Sequence, residues 1–222
     1  MMGRDHQKLL CQNIKMNRLF TTLSLMLAVL IGSTGVSYAG QLSKLEIIHK
    51  KKLQINHLIV ALTEINKSKS LKVAKELKSI RNNDNSYNLI IRRANLNVSD
   101  AKLISKAIEK IKKNNGPLLN KISMSFNKNL TDSGLNSILH VLPESTSAIG
   151  CVECGLTDAS GERIINWAYA HTGIKEIYLE GNLFSKNIIN KFAKLKKDKP
   201  NIAMLIEWPT EEFKKMVLEN YK

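Results

Sequence analysis

Four stretches of this chain can be laid over one another, and the interval between them limits what the chain can fold into. In the clearest copy, apolar residues stand at Ile174, Ile177, Leu179 and Phe184, with Asn182 three residues after Leu179. The preceding copy carries Ile149, Cys151, Cys154 and Leu156 at the matching offsets. The position of Leu179 recurs at Ile91, Met124 and Cys151, at intervals of 33, 27 and 28 residues, and a weaker fifth segment follows at 202–206. Alternating apolar residues over a short run predict strands. Each run is followed by residues suited to starting a helix: Ser99 and Asp100, Thr131 and Asp132, Thr157 and Asp158, Ser185, and Thr210. A hydroxyl there accepts from a free N–H of the first turn, and a carboxylate suits the helix dipole. Helical periodicity comes next, with Leu103, Ile104, Ala107, Ile108 and Ile111 in one segment and Ile164, Ile165, Trp167, Ala168 and Ala170 in another. One strand and one helix cannot bury their apolar faces alone, so the units must stack.

The copies resemble leucine-rich repeats of the ribonuclease-inhibitor-like subclass, over roughly 87–208, a little over half the chain. The resemblance implies an α/β fold: a short leucine-rich-repeat solenoid with parallel strands on a concave face, helices on the convex side, and a helical N-terminal cap. Two copies fit well. The second has an insertion between Asn127 and Leu130, and the first is degenerate. In the first, the asparagine position falls at Ala94 if Leu89 and Ile91 turn inward; the register that would use Asn95 instead buries Arg92.

The N-terminus reads as an address. Arg18 precedes the apolar run 19–31, and in Ser37-Tyr38-Ala39 small residues stand at the third and first positions before a cleavage point after Ala39. The alternative is an uncleaved anchor, but the densest apolar run falls short of the ~20 residues a spanning helix needs. Residues 1–39 are therefore expected to be a signal peptide and the protein to be exported, periplasmic or secreted. Without them the net charge falls from +15 to +12.

Residues 40–86 are expected to form a basic helical cap, with Leu53, Ile55, Leu58, Ile59, Leu62 and Ile65 on one helix face and Leu71, Val73, Ala74, Leu77 and Ile80 on a second. Residues 87–208 hold the repeats, and 209–222 form a C-terminal capping helix that closes the stack. Lys50, Lys51 and Lys52 could meet an anionic membrane surface or polymer. No aromatic residue lies between 41 and 86, which argues against stacking on single-stranded nucleic acid.

Cys151 and Cys154 form a C-x-x-C pair, and three readings compete. A thiol oxidoreductase would want the reactive cysteine at a helix N-terminus, whereas this pair precedes the helix signal. A metal site would need two further ligands, and no second pair exists in sequence. Repeat residues packed inside the turn is the third reading, and the leucine-rich-repeat resemblance supports it. In an oxidising compartment the pair could also close a short disulfide. His49, His57, His140 and His171 lack metal spacing, and His140 is expected at a core edge. Asp132 and Asp158 recur by repeat, which points to capping and not to paired acid–base chemistry. No catalytic, cofactor-binding or metal residue is assigned, and an enzyme is not expected.

Strand residues between the leucine positions point to the opposite face. That face is expected to bind a protein partner through Arg92, Arg93, Lys121, Phe126, Glu153, Glu176, Tyr178, Glu180 and Trp208. Its charge is expected to be divided, basic toward Arg92, Arg93 and Lys121, and acidic toward Glu153, Glu176, Glu180 and Glu207. Phe126, Tyr178 and Trp208 are the aromatic anchors, a residue class enriched at binding hot spots. The resulting expectation is an exported binding protein, such as a secreted effector or virulence factor, with the Lys-rich surface and the thiol pair as alternatives.

Overall fold

The computed structural model describes residues 46–47, 49–79 and 85–220. The chain divides into two compact units, Met1–Ile47 and Ile48–Lys222, and all the elements below belong to the second. The expected signal segment 1–39, with its cleavage point and Cys11, lies outside the described residues. Among the described residues no helix is long and apolar enough to cross a membrane.

The fold is α/β, built on a five-stranded parallel sheet. Two helices lead, α1 (Asn56–Ile65) and α2 (Ser68–Lys78). Strands and helices then alternate: β1 (Ser86–Ile90), α3 (Val98–Lys113), β2 (Leu118–Ser123), α4 (Thr131–Leu139), β3 (Ala148–Gly150) and α5 (Asp158–Ala170). The series ends with β4 (Glu176–Tyr178), α6 (Lys186–Asp198), β5 (Ala203–Leu205) and α7 (Glu211–Asn220). Strand order in the sheet is chain order, and every neighbouring pair is parallel. Parallel neighbours need a crossover, and a helix supplies each one.

The register places Leu89, Ile122, Ile149, Ile177 and Met204 in one row, which is the offset read from the sequence. Leu89, Ile91, Ile122, Met124, Ile149, Cys151, Ile177 and Leu179 are each no more than 1% exposed. They share one core with Ile104, Ile108, Leu135, Ile138, Ile164, Ile188 and Phe192 from the helices. Each such side chain contributes about 1.5–3 kcal/mol by leaving water. Helices α3 to α6 pack on one another in order, while α1 packs on α3, and α2 on the edge strand β1.

A turn of repeated shape follows each of the first four strands. Arg93, Phe126, Glu153 and Gly181 occupy matching positions with φ of 50°, 64°, 48° and 72°. Three of the four are therefore non-glycine residues held left-handed, each at a cost of about 1–2 kcal/mol. Asn127 and Asn182 explain why that conformation persists. Asn127 Oδ1 accepts from the N–H of Ala94 and of Leu96, both at 2.9 Å, and Nδ2 donates to the carbonyls of Ile91 (3.0 Å) and Met124 (2.7 Å). Asn182 does the same for Cys154, Leu156, Cys151 and Leu179 at 2.7–3.1 Å. Each asparagine thus ties its own turn to the one before it. At the corresponding place Cys154 Sγ donates to Met124 O at 3.1 Å.

Several local details differ from the sequence expectations. Helix α1 starts at Asn56, after a turn, and leaves Leu53 45% exposed. Helix α3 is capped by Asn97, not Ser99: Asn97 Oδ1 accepts from Asp100 N at 3.0 Å, and Asp100 Oδ2 from Asn97 N at 2.9 Å. His140 is exposed at the end of α4, beyond the last core turn. Asp132 and Asp158 reach to the next unit's helix start. Asp132 accepts from Thr157 N (2.9 Å) and Thr157 Oγ1 (2.6 Å), and Asp158 from Ser185 N (2.7 Å). Burial pushes the Asp132 carboxyl up, but hydrogen bonds from Ser160 and Thr157 outweigh it and hold the group below the usual aspartate range.

Candidate ligand-binding face

The strand face away from the helix layer carries a groove of about 240 Å³ with residues from all five strands or their ends in its lining. Seven of the nine residues expected there line it: Arg92, Lys121, Phe126, Glu176, Tyr178, Glu180 and Trp208. Ile90, Ser123, Ser125, Gly150 and Val152 complete much of the floor. Gly150 keeps that floor low, since a Cβ there would sit 3.0 Å from Ser123 Oγ.

Arg93 and Glu153 stand at the rim. Both are the left-handed residues of their turns, as is Phe126, which does line the groove. The Arg93 guanidinium lies over the Phe126 ring, 4.4 Å from its centroid, and donates to Leu218 O at 3.3 Å. Glu153 approaches Lys128 at 3.8 Å.

The expected division into basic and acidic halves is bridged in the middle. Lys121 Nζ reaches across Ala148 to Glu176 Oε1 at 2.9 Å. This follows from the register, which puts Lys121, Ala148 and Glu176 side by side, the small alanine leaving room above it. Arg92 Nε donates to Ser123 Oγ at 2.8 Å. Glu207 is exposed and does not line the groove.

Glu180 is different. It is only 4% exposed, and its Oε2 has no hydrogen-bond partner. Burial pushes its carboxyl above the usual glutamate range, and backbone hydrogen bonds at Glu180 and Leu179 offset this only in part. Trp208 Nε1 and Arg93 Nε are also buried without a partner. Unsatisfied buried polar atoms are uncommon in folded proteins, and three of them gather at one face.

The closing helix is not confined to the end of the stack. Phe213 and Val217 of α7 line the groove, and the Arg93 contact ties Leu218 to the first turn. Helix α7 therefore lies over the strand face. It is seated lightly, with no residue fully buried and Met216 50% exposed. Its amphipathic pattern was visible in sequence; its destination was not, because Arg93 and Leu218 are 125 residues apart.

The two cysteines are free thiols and do not form the disulfide considered from spacing. Both are buried side by side in the turn, where Cys154 donates to Met124 O. The adjacent Cys154 thiol and burial push the Cys151 thiol well up. A redox nucleophile needs the reverse, an accessible thiol with a lowered pKa. Of the lysines considered for an anionic surface, Lys50 is exposed, and Lys51 and Lys52 are half-buried. Among the described residues no cluster of three or more His, Cys, Asp or Glu could hold a metal ion.

No protein-family model matches the sequence, and no curated protein matches it.

Proposed function

We propose that this chain is an exported leucine-rich-repeat protein whose strand face captures a protein ligand. It acts by binding rather than by catalysis. In this reading the parallel sheet is the concave side of a short solenoid, and the aromatic groups of Phe126, Tyr178 and Trp208 are its anchors. The observation that carries the proposal is the continuous groove over the strand face, where aromatic and charged side chains stand among an apolar floor. Such a mixture of aromatic anchors and oriented polar groups suits protein recognition.

The test is site-directed photocrosslinking in the native organism. A photoreactive amino acid at Tyr178 should trap one discrete partner, and one at Lys106, on helix α3, should trap none. Equal labelling from both positions would overturn a strand-face binding site. Loss of the adduct in moderate salt would instead favour the Lys-rich surface around Lys50, Lys51 and Lys52, because exposed charge pairing is screened over a Debye length of about 8–10 Å.

A further inference from the structure

The proposed binding face leaves open what it recognises, and its polar inventory narrows the answer. Two carboxylates, Glu176 and Glu180, line the groove together with two cationic side chains, Arg92 and Lys121. Lys121 is engaged by Glu176, and Arg92 donates to Ser123. Glu180 alone among the carboxylates of the lining has a buried oxygen without a partner. A carboxylate taken out of water and left unpaired is costly unless a donor or a cation meets it.

The surroundings specify which donor fits. Trp208 lines the same groove, close enough to the β4 turn that a Cβ on Gly181 would come within 3.0 Å of its Nε1. The Phe213 ring stands 6.5 Å from the Trp208 ring. Tyr178, the last residue of β4 and two residues before Glu180, lines the same groove. A carboxylate between aromatic side chains is a site for an organic cation, since aromatic faces attract cations and the carboxylate neutralises them. The same chemistry already operates at the opposite end of the groove, where the Arg93 guanidinium lies over Phe126. Helix α7 offers only Phe213 and Val217 to the lining, and neither can satisfy Glu180. A groove of about 240 Å³ has the volume of roughly eight liquid-water molecules at ~30 Å³ each, enough for a side-chain head group.

We propose that Glu180, walled by Tyr178 and Trp208, forms a subsite for a cationic side chain, arginine or lysine, projecting from the protein ligand. The proposal rests on the reading of this face as a protein-binding surface and adds the chemistry of its central contact.

The chain has two tryptophans, which makes the test direct. Trp167 stacks on buried His171 and lies outside the groove lining, so its indole N–H is an internal control for that of Trp208. The full chain, with indole nitrogens labelled and assigned through Trp167→Phe, is titrated with acetyl-Ala-Arg-Ala-amide, its lysine counterpart and the neutral citrulline counterpart. The expected result is a saturable shift of the Trp208 resonance with arginine or lysine, at least tenfold weaker binding of citrulline, and an unmoved Trp167 resonance. In Glu180→Gln, which is isosteric, affinity for the cationic peptides should fall at least tenfold while the folded spectrum persists. Citrulline binding as tightly as arginine, or Glu180→Gln binding as tightly as the parent, would overturn the subsite. Failure here with the Tyr178 photoadduct intact removes the cation subsite alone. Peptide binding without any photoadduct removes the protein-ligand reading alone.

Discussion

Asn127 and Glu180 are both polar, both almost inaccessible to water, and on opposite sides of the same run of strands and turns. Asn127 points into the core, where backbone groups of two successive turns occupy both ends of its amide. Glu180 points into the groove and keeps an oxygen without a partner. The contrast separates polar residues that hold the fold from those the fold holds available. A buried polar group with every capacity filled adds stability and specificity of shape, whereas one left open retains interaction energy for something else.

The comparison can be broken most severely at Asn127. Asn127→Ala would leave four buried backbone groups unpaired, and at about 1 kcal/mol each the loss is ~4 kcal/mol in urea unfolding. A loss below ~1 kcal/mol would mean that water takes over those bonds. Gly181→Ala comes next, at about 2 kcal/mol. Its φ of 72° disfavours a side chain, and the new Cβ would meet Glu153 Cγ at 2.7 Å and Trp208 Nε1 at 3.0 Å. Altered Trp208 fluorescence should accompany that loss.

Thr157→Ala should cost about 1 kcal/mol, through its helix cap and its bonds to Asp132. Here pH sharpens the contrast, because Asp132 and Glu180 are shifted in opposite directions. The lowered folded pKa of Asp132 supplies stability above the ordinary aspartate value, lost as pH falls through the folded value. The raised folded pKa of Glu180 favours the fold below the ordinary glutamate value, and that advantage is lost as pH rises through the folded value. Thermal unfolding should therefore show the Thr157→Ala defect shrinking in acid. Glu180→Gln should raise the midpoint slightly at neutral pH and leave it unchanged in acid. The smallest stability change is expected from Phe213→Ser with Val217→Ser, since α7 buries none of its residues. That variant should nonetheless bind the arginine peptide several-fold more tightly by uncovering the groove, a change readable in the same indole titration.

Much of the fold was legible because the apolar offsets within each copy recur. The offsets among Ile91, Met124, Cys151 and Leu179 are those by which the strands align, and the inward pair Leu89 and Ile91 is buried as the Ala94 register requires. The outward set was legible for the same reason: alternation places Lys121, Tyr178 and Glu180 opposite to the core. Alternation does not extend to the left-handed turn position, where Phe126 lines the groove while Arg93 stacks on Phe126 and Glu153 approaches Lys128. The bridge from Lys121 to Glu176 crosses an intervening strand, so no local pattern announces it. Asn97 and Ser99 both carry an oxygen able to cap α3, and local sequence does not choose between them; the fold uses Asn97.

Local spacing by itself determined the unit of this protein, a strand, a turn and a helix repeated along the chain, because side-chain direction in a strand and a helix follows from backbone geometry alone. Only the tertiary structure decided which polar groups find partners. Whether Cys151 and Cys154 bond to each other, whether Glu180 meets a cation, and where α7 comes to rest depend on distances between residues far apart in sequence. Those distances exist only once the sheet has assembled and its helix-covered face has been closed to water.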